Sequence, residues 1–172
     1  AERRAVAEEL EGVLKLVNGV LGGTRSMARG LFDAALPPTG LVAALEELAR
    51  RSNEGAGPAV RFVPRVDVAL DFDRREVVEL YRIAQEAVTN ALKHAQAKRI
   101  DVELSSDADS VSLVIADDGR GLPRDGEAGQ AGLGLGIMRY RAHALGTELV
   151  VATRPGGGTR VECTVRRLAP RD

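Results

Sequence analysis

The chain of 172 residues is 44% hydrophobic and 28% charged, a balance that supports one packed, water-soluble domain with some additional material and excludes a disordered chain. Its 24 basic and 25 acidic residues leave a net charge of −1, so the basic footprint of a nucleic-acid binder is missing. The longest uncharged run, residues 34–45, is 12 residues long and interrupted by Pro37 and Pro38, well short of the about 20 apolar residues of a membrane span.

No basic segment followed by an apolar core opens the chain, so no signal peptide is expected, and a cytoplasmic location follows. The single cysteine, Cys163, has no disulfide partner and sits in an alternating apolar run, as a small buried strand residue would. With only His94 and His143 as further soft ligands, zinc is not expected.

In chain order, Val6, Leu10, Val13, Val17, Val20, Leu21, Met27, Ala28 and Leu31 recur at three- and four-residue spacings and predict an amphipathic helix. Glycines at 12, 19, 22, 23 and 30 weaken it by about 1 kcal/mol each, so it needs a partner surface. Pro37-Pro38 ends it, residues 41–51 read as a shorter helix, and 53–58 as a glycine-containing turn. A strand at 59–66 precedes a long helix over 73–95, with Asp73 as its N-cap. Strands at 99–104 and 111–116 flank a hairpin-like connection at 105–110, and the polar, glycine-rich stretch 119–132 reads as a mobile loop. A helix over 133–145 closes on Gly146, and strands at 148–153 and 160–165 surround Pro155-Gly156-Gly157-Gly158. This order predicts an antiparallel or mixed sheet covered by helices on one face.

Three segments carry chemistry. In Gln85-Glu86-Ala87-Val88-Thr89-Asn90-Ala91-Leu92-Lys93-His94, the residues Glu86, Asn90, Lys93 and His94 fall along one side of a regular helix. A carboxylate, an amide oxygen, an ammonium and an imidazole on one stripe suit a hydrated magnesium ion and the phosphates it bridges, although a solvated helix face has the same composition. Asp117-Asp118-Gly119-Arg120-Gly121 follows an apolar strand; there a carboxylate can accept from a ligand amine while glycines let backbone approach a ring, and a plain turn reads the same way. Gly132-Leu133-Gly134-Leu135-Gly136 leads into a helix, whose N-terminal amides suit phosphate. It matches neither the Rossmann fingerprint nor a Walker A motif.

In this order and over this distance, the three segments resemble the N, G1 and G2 boxes of the GHKL ATPase superfamily, which shares the Bergerat ATP-binding fold and includes histidine kinases, type II topoisomerases, a chaperone class and mismatch-repair ATPases. The resemblance runs from about Asp73 to Arg167, and Gly158-Thr159 resembles the superfamily's last adenine-side element. Residues 80–95, Leu-Tyr-Arg-Ile-Ala-Gln-Glu-Ala-Val-Thr-Asn-Ala-Leu-Lys-His-Ala, and 136–142, Gly-Ile-Met-Arg-Tyr-Arg-Ala, look like the nitrate-sensor-like histidine kinases with a HisKA_3-type dimerisation domain. The segment 28–45 is similar to the end of that group's second dimerisation helix and the linker beyond it.

The resemblance implies an α+β, two-layer α/β sandwich with a mixed, mostly antiparallel sheet, preceded by an N-terminal helical segment. It divides the chain into a partial dimerisation segment (1–36), a linker with a short helix (37–58) and an ATP-binding catalytic domain (59–172). It implies that Asp117 accepts the adenine amino group with support from Thr159, and that Gly119 and Gly121 shape the adenine wall. Asn90 would ligate magnesium, Glu86 would orient a magnesium-bound water or the reacting phosphate end, Lys93 would contact phosphate, and His94 the phosphate or ribose side. Gly132, Leu133, Gly134, Leu135 and Gly136 would belong to the loop over the triphosphate, with 122–131 as an ATP lid. The implied cofactors are ATP and Mg2+. The implied partners are a histidine-bearing dimerisation helix, a response regulator and a second copy pairing through residues 4–34. Neither His94 nor His143 lies in an acceptor motif, so the acceptor is expected outside this chain. An anti-sigma-type serine kinase on the same fold and a non-catalytic ATP-binding or dimerisation module are the competing readings; the helical segment before Gly40 argues against the first.

Overall fold

The computed structural model describes residues 40–66, 72–122 and 132–166, all within the unit Pro37–Asp172. The predicted helical stripe over 6–31, the segment 1–36 and residues 123–131 of the glycine-rich loop lie outside the described residues.

Among the described residues, three α-helices and five strands follow one another as α1 (Gly40–Ser52), β1 (Ala59–Val66), α2 (Arg74–Asn90), a π-helical turn (Ala91–Ala95), β2 (Arg99–Ser106), β3 (Ser110–Asp117), α3 (Gly132–Ala144), β4 (Leu149–Thr153) and β5 (Thr159–Arg166). The sheet order is β1-β2-β3-β5-β4. The β1–β2 pair is parallel, because α2 crosses back between them, and the other three pairs are antiparallel. Alternation points Ile100, Val102, Leu104, Val111, Leu113, Ile115, Val161, Cys163 and Val165 to one face, where they meet Leu41, Leu45 and Leu48 of α1, Leu80, Ile83, Ala84, Ala87 and Val88 of α2, and Met138 and Ala142 of α3 in one core. Burial there pushes the Cys163 thiol up to about 11, which makes it inert packing. The opposite face carries polar pairs: the Thr164 hydroxyl donates to Ser112 Oγ at 3.1 Å, and Arg160 pairs with Glu162. This is the helix-covered, mixed α/β sandwich that the sequence predicts.

Local chemistry sets the element ends. Asp73 accepts from the Glu76 amide at 2.8 Å while the Glu76 carboxylate accepts from the Asp73 amide at 2.9 Å, a complete capping box. At Gly146, with φ +71°, the Thr147 and Gly146 amides return to the Ala142 and His143 carbonyls, which closes α3 as a Schellman motif. Asn53 uses both ends of its side-chain amide on the Val60 backbone, tying α1 to β1. Between β2 and β3 the connection is tighter than the sequence implies. Asp107 Oδ1 accepts from the Asp109 and Ser110 amides, so the strands extend to Ser106 and from Ser110.

The predicted long helix over 73–95 changes pitch. Its α-helical part stops at Asn90, Ala91–Ala95 forms the π-helical turn, and Gln96 reverses the chain in the left-handed region at φ 55°. The half-buried Arg141–Glu79 ion pair at 2.6 Å then locks α3 against α2.

Candidate functional site

Alternation along β3 brings Ile115 and Asp117 to the inner face, and along β5 it brings Thr159 and Val161 to the same level. These four form one wall of a cavity of about 190 Å³. Ala87, Asn90, Ala91, His94 and Ala95 supply the wall from α2 and the π-helical turn, while Gly134, Leu135 and Met138 of α3 close the side. Most of this lining is apolar, with a small number of convergent polar groups, as in sites for flat organic ligands.

Asp117 is the chemically distinctive member. It is only 4% exposed, and a buried carboxylate is tolerated only where hydrogen bonds offset its desolvation. Its Oδ1 accepts from the Gly119 amide at 2.8 Å, and its main-chain oxygen accepts from the Arg154 guanidinium at 2.8 Å. Oδ2 is left as an acceptor for an occupant of the cavity. The adjacent Asp118 has a different task. It is exposed, its Oδ1 accepts from the Arg99 and Lys98 amides at 2.9 and 2.7 Å, and these bonds hold its carboxyl below the usual carboxylate range. Asp118 staples the β2 entry; Asp117 faces the cavity.

Two glycines allow this packing. A Cβ on Gly119 would strike the Ala95 carbonyl, the same group that accepts from the Arg120 amide at 2.9 Å. Gly158, at φ +89°, lies so close to Asp117 that a Cβ would overlap the Asp117 carbonyl and come within 3.0 Å of the Asp118 Cα. The turn after β3 is thus held between the π-helical turn and the β4–β5 turn.

The structure sorts the residues of the predicted site. Asn90, His94, Asp117, Gly121, Gly134, Leu135 and Thr159 line the cavity. Glu86 does not line it, but a Cβ built on Gly134 would meet both the Glu86 carboxylate and the Asn90 amide, so those two side chains converge beside the first turn of α3. Lys93 is exposed and absent from the lining, because the pitch change breaks the single stripe that a regular helix would give. Gly119 lies behind the wall as a packing residue. Gly132 to Gly136 are already helical, so the glycines open α3 instead of forming a loop over a ligand. First-turn amides have no partner within their helix, and Gly134 and Leu135 of this turn border the cavity. The Leu133 side chain and residues 123–131 lie outside what is described.

The motif reading does not name every residue at the cavity. Ile115 and Val161 were legible, being two positions from Asp117 and Thr159 on the same strands. Arg120, Leu122, Met138 and Val151 also line the cavity, and Arg154 reaches Asp117 from 37 residues away with no local signal. Among the described residues, no group of three or more histidines, cysteines or carboxylates is placed to hold a metal ion, and no helix is long and apolar enough to cross a membrane.

A one-faced α/β layer with a buried acidic acceptor at a strand end and a helix N-terminus beside it defines an ATP-binding domain of the Bergerat type. The chain belongs to the family of histidine kinase-, DNA gyrase B- and HSP90-like ATPases, which matches residues 76–169. It is 29% identical over 154 residues to the signal transduction histidine-protein kinase/phosphatase DegS of Brevibacillus brevis, covering 90% of this chain and 39% of that protein. It is 32% identical over 149 residues to the sensor histidine kinase MctS of Rhizobium johnstonii, covering 83% of this chain and 32% of that protein. Among solved structures, the blue-light activated histidine kinase of Erythrobacter litoralis EL346 superposes with a TM-score of 0.60 at 30% identity, over 73% of this chain and 41% of that one. The ATP-binding domain of PrrB from Mycobacterium tuberculosis shares the fold at a TM-score of 0.59 and 22% identity, over 76% of this chain and 96% of that one. The chain spans between 32% and 39% of the length of the two curated relatives, and carries the ATP-binding catalytic domain that sensor histidine kinases contain.

Proposed function

We propose that this chain is the phosphate-donating catalytic part of a two-component sensor histidine kinase of the nitrate-sensor-like, HisKA_3-type group. The observation that carries the reading is the buried Asp117 carboxylate, with one oxygen committed to Gly119 and the other facing a cavity shared with Asn90, His94 and the first turn of α3. The adenine amino group is a hydrogen-bond donor and suits an acceptor-only carboxylate. In this reading Asp117 selects adenine, Thr159 supports it, and Gly119 and Gly121 shape the wall. His94 and the exposed Lys93 take the phosphate and ribose side, and the first turn of α3, Gly132 to Gly136, faces the triphosphate.

Magnesium fits the convergence of Glu86 and Asn90 beside Gly134, since it prefers hard oxygen donors and keeps several waters, so a full protein cage is not required. When bound, the ion would neutralise charge on the phosphates. The side chains of this chain orient the nucleotide and exclude water from its base end. In the transfer, the γ-phosphorus leaves the β-phosphate oxygen for a histidine nitrogen outside this chain, and ADP departs. The phosphoryl group then passes to a response regulator. Residues 1–36 serve as part of the second dimerisation helix, with two chains pairing through 4–34; 37–58 form the linker and 59–172 the catalytic domain. A reaction that uses ATP suits a cytoplasmic location.

Titration of the chain with a non-hydrolysable ATP analogue and Mg2+ tests the site. Asn90→Asp puts a like charge against Glu86 and the phosphates, which costs several kcal/mol. The expected result is at least about a hundredfold loss of affinity for the analogue, while adenosine, which reaches only the base end, binds as before. Unchanged analogue affinity in this variant would remove Asn90 from the site.

A further inference from the structure

We infer that Arg154 is a positioning residue for nucleobase selection, acting through the Asp117 backbone; this rests on the ATP reading of the cavity. Arg154 opens the β4–β5 turn, where its amide donates to the Gly158 carbonyl at 2.9 Å and its own carbonyl accepts from the Gly157 amide at 3.1 Å. Those two bonds fix the root of a half-buried side chain whose Nη1 donates to the Asp117 main-chain oxygen at 2.8 Å. Gly158 and Gly157 press the same turn onto the backbone of Asp117 and Gly119. The contact is therefore built from both sides, by packing and by a charge-assisted hydrogen bond.

The geometry explains why that carbonyl needs an outside donor. Asp117 pairs with Ile100 on one side, but the β3–β5 ladder ends at Ala116 paired with Arg160. Asp117 thus stands one residue past its last β5 partner: the amide of its peptide, that of Asp118, donates to the Arg99 carbonyl of β2 at 3.3 Å, but the β3–β5 ladder offers its carbonyl no partner. Arg154 supplies the missing constraint. With the carbonyl pinned, the side chain keeps Oδ1 on the Gly119 amide and presents Oδ2 to the cavity. Without it, the peptide is held only at its other end by the 3.3 Å bond from the Asp118 amide to Arg99, and the carboxylate loses part of the fixed direction that separates a donor from an acceptor on the base edge. Arg154 does not line the cavity, so its effect on a ligand passes through Asp117.

The experiment is paired titration of the full chain with non-hydrolysable ATP and GTP analogues, for the unaltered protein, Arg154→Met and Arg154→Lys, with a thermal melt of each. Removing one charge-assisted bond is expected to weaken the ATP analogue about tenfold or more. The GTP analogue changes little, so the ATP-to-GTP preference collapses in Arg154→Met. Arg154→Lys retains a cationic donor and recovers most of the preference. Should Arg154→Met lose its melting transition, Arg154→Gln, which is too short to reach the carbonyl, carries the same expected ratio. A simple packing role lowers both affinities in proportion and leaves the preference unchanged; that result, or no loss of either affinity, overturns the inference while leaving the ATP site in place. Failure of the unaltered chain to bind the ATP analogue overturns both the inference and the ATP reading.

Discussion

Asp117→Asn is expected to reduce affinity for a non-hydrolysable ATP analogue by at least about a hundredfold while leaving the melting temperature nearly unchanged. The substitution keeps shape and removes charge. Asn at this position must spend its one oxygen on the Gly119 amide, which Asp117 Oδ1 now accepts at 2.8 Å. In the proposed binding mode its NH2 group then faces the adenine amino group, a donor against a donor. A buried donor left without an acceptor costs about 1–3 kcal/mol, and the lost charge-assisted bond to adenine adds to it. The same substitution has a positive consequence. Guanine presents an oxygen acceptor where adenine presents an amine, so Asp117→Asn should bind a GTP analogue more tightly than the unaltered chain does. Calorimetric titration with both nucleotides checks both halves. Equal ATP affinity in the two proteins would dissociate Asp117 from base recognition.

Gly158→Ala is expected to have the largest effect on stability. At φ +89° an alanine carries backbone strain of about 1–3 kcal/mol, and its Cβ would additionally overlap the Asp117 carbonyl. That carbonyl is main chain held by Arg154, so it cannot move aside as a flexible side chain would. The combined cost is about 3 kcal/mol or more, a large part of the stability of a domain this size. Gly146→Ala provides the internal comparison, because Gly146 has a similar φ of +71° with no atom within 4 Å of the added Cβ. It should lose only the strain, about 1 kcal/mol. Urea unfolding of both variants, compared at equal slopes, isolates the contact; equal losses would mean that the β4–β5 turn is not packed as described.

Local rules reached far into this fold. The Asp73 cap, the Gly146 terminus, the alternation that sends Leu113, Ile115 and Cys163 inward, and the order of strands and helices follow from neighbouring residues, and the structure has them as the sequence predicts. Strand alternation also places Asp117 at the inner end of β3 and Thr159 beside it. Three features were not legible, for separate reasons. The π-helical turn at Ala91–Ala95 has the composition of an ordinary helix end, so one continuous stripe of Glu86, Asn90, Lys93 and His94 was expected; the wider turn places His94 in the cavity and leaves Lys93 outside it. The glycines 132–136 have low helix propensity, and although a helix is predicted over 133–145, the resemblance implies a loop over the triphosphate at this stretch. They open the helix, and Gly134 packs against Glu86 and Asn90 where a side chain would not fit, a contact that local propensity does not encode. Arg154 acts across 37 residues through a main-chain oxygen, a contact that no periodicity or motif encodes.

Phosphotransfer in trans tests the central claim most directly. The chain is incubated with γ-labelled ATP, Mg2+ and a separately prepared fragment bearing the histidine-containing dimerisation helix of the same kinase. Histidine phosphorylation leaves label on that fragment that is lost in acid and stable in base, absent when the fragment's histidine is replaced and absent with Asp117→Asn. That pattern is the predicted result. Label that survives acid, as on a serine, or no transfer by a chain that binds ATP would contradict the assignment of this domain as a histidine kinase donor.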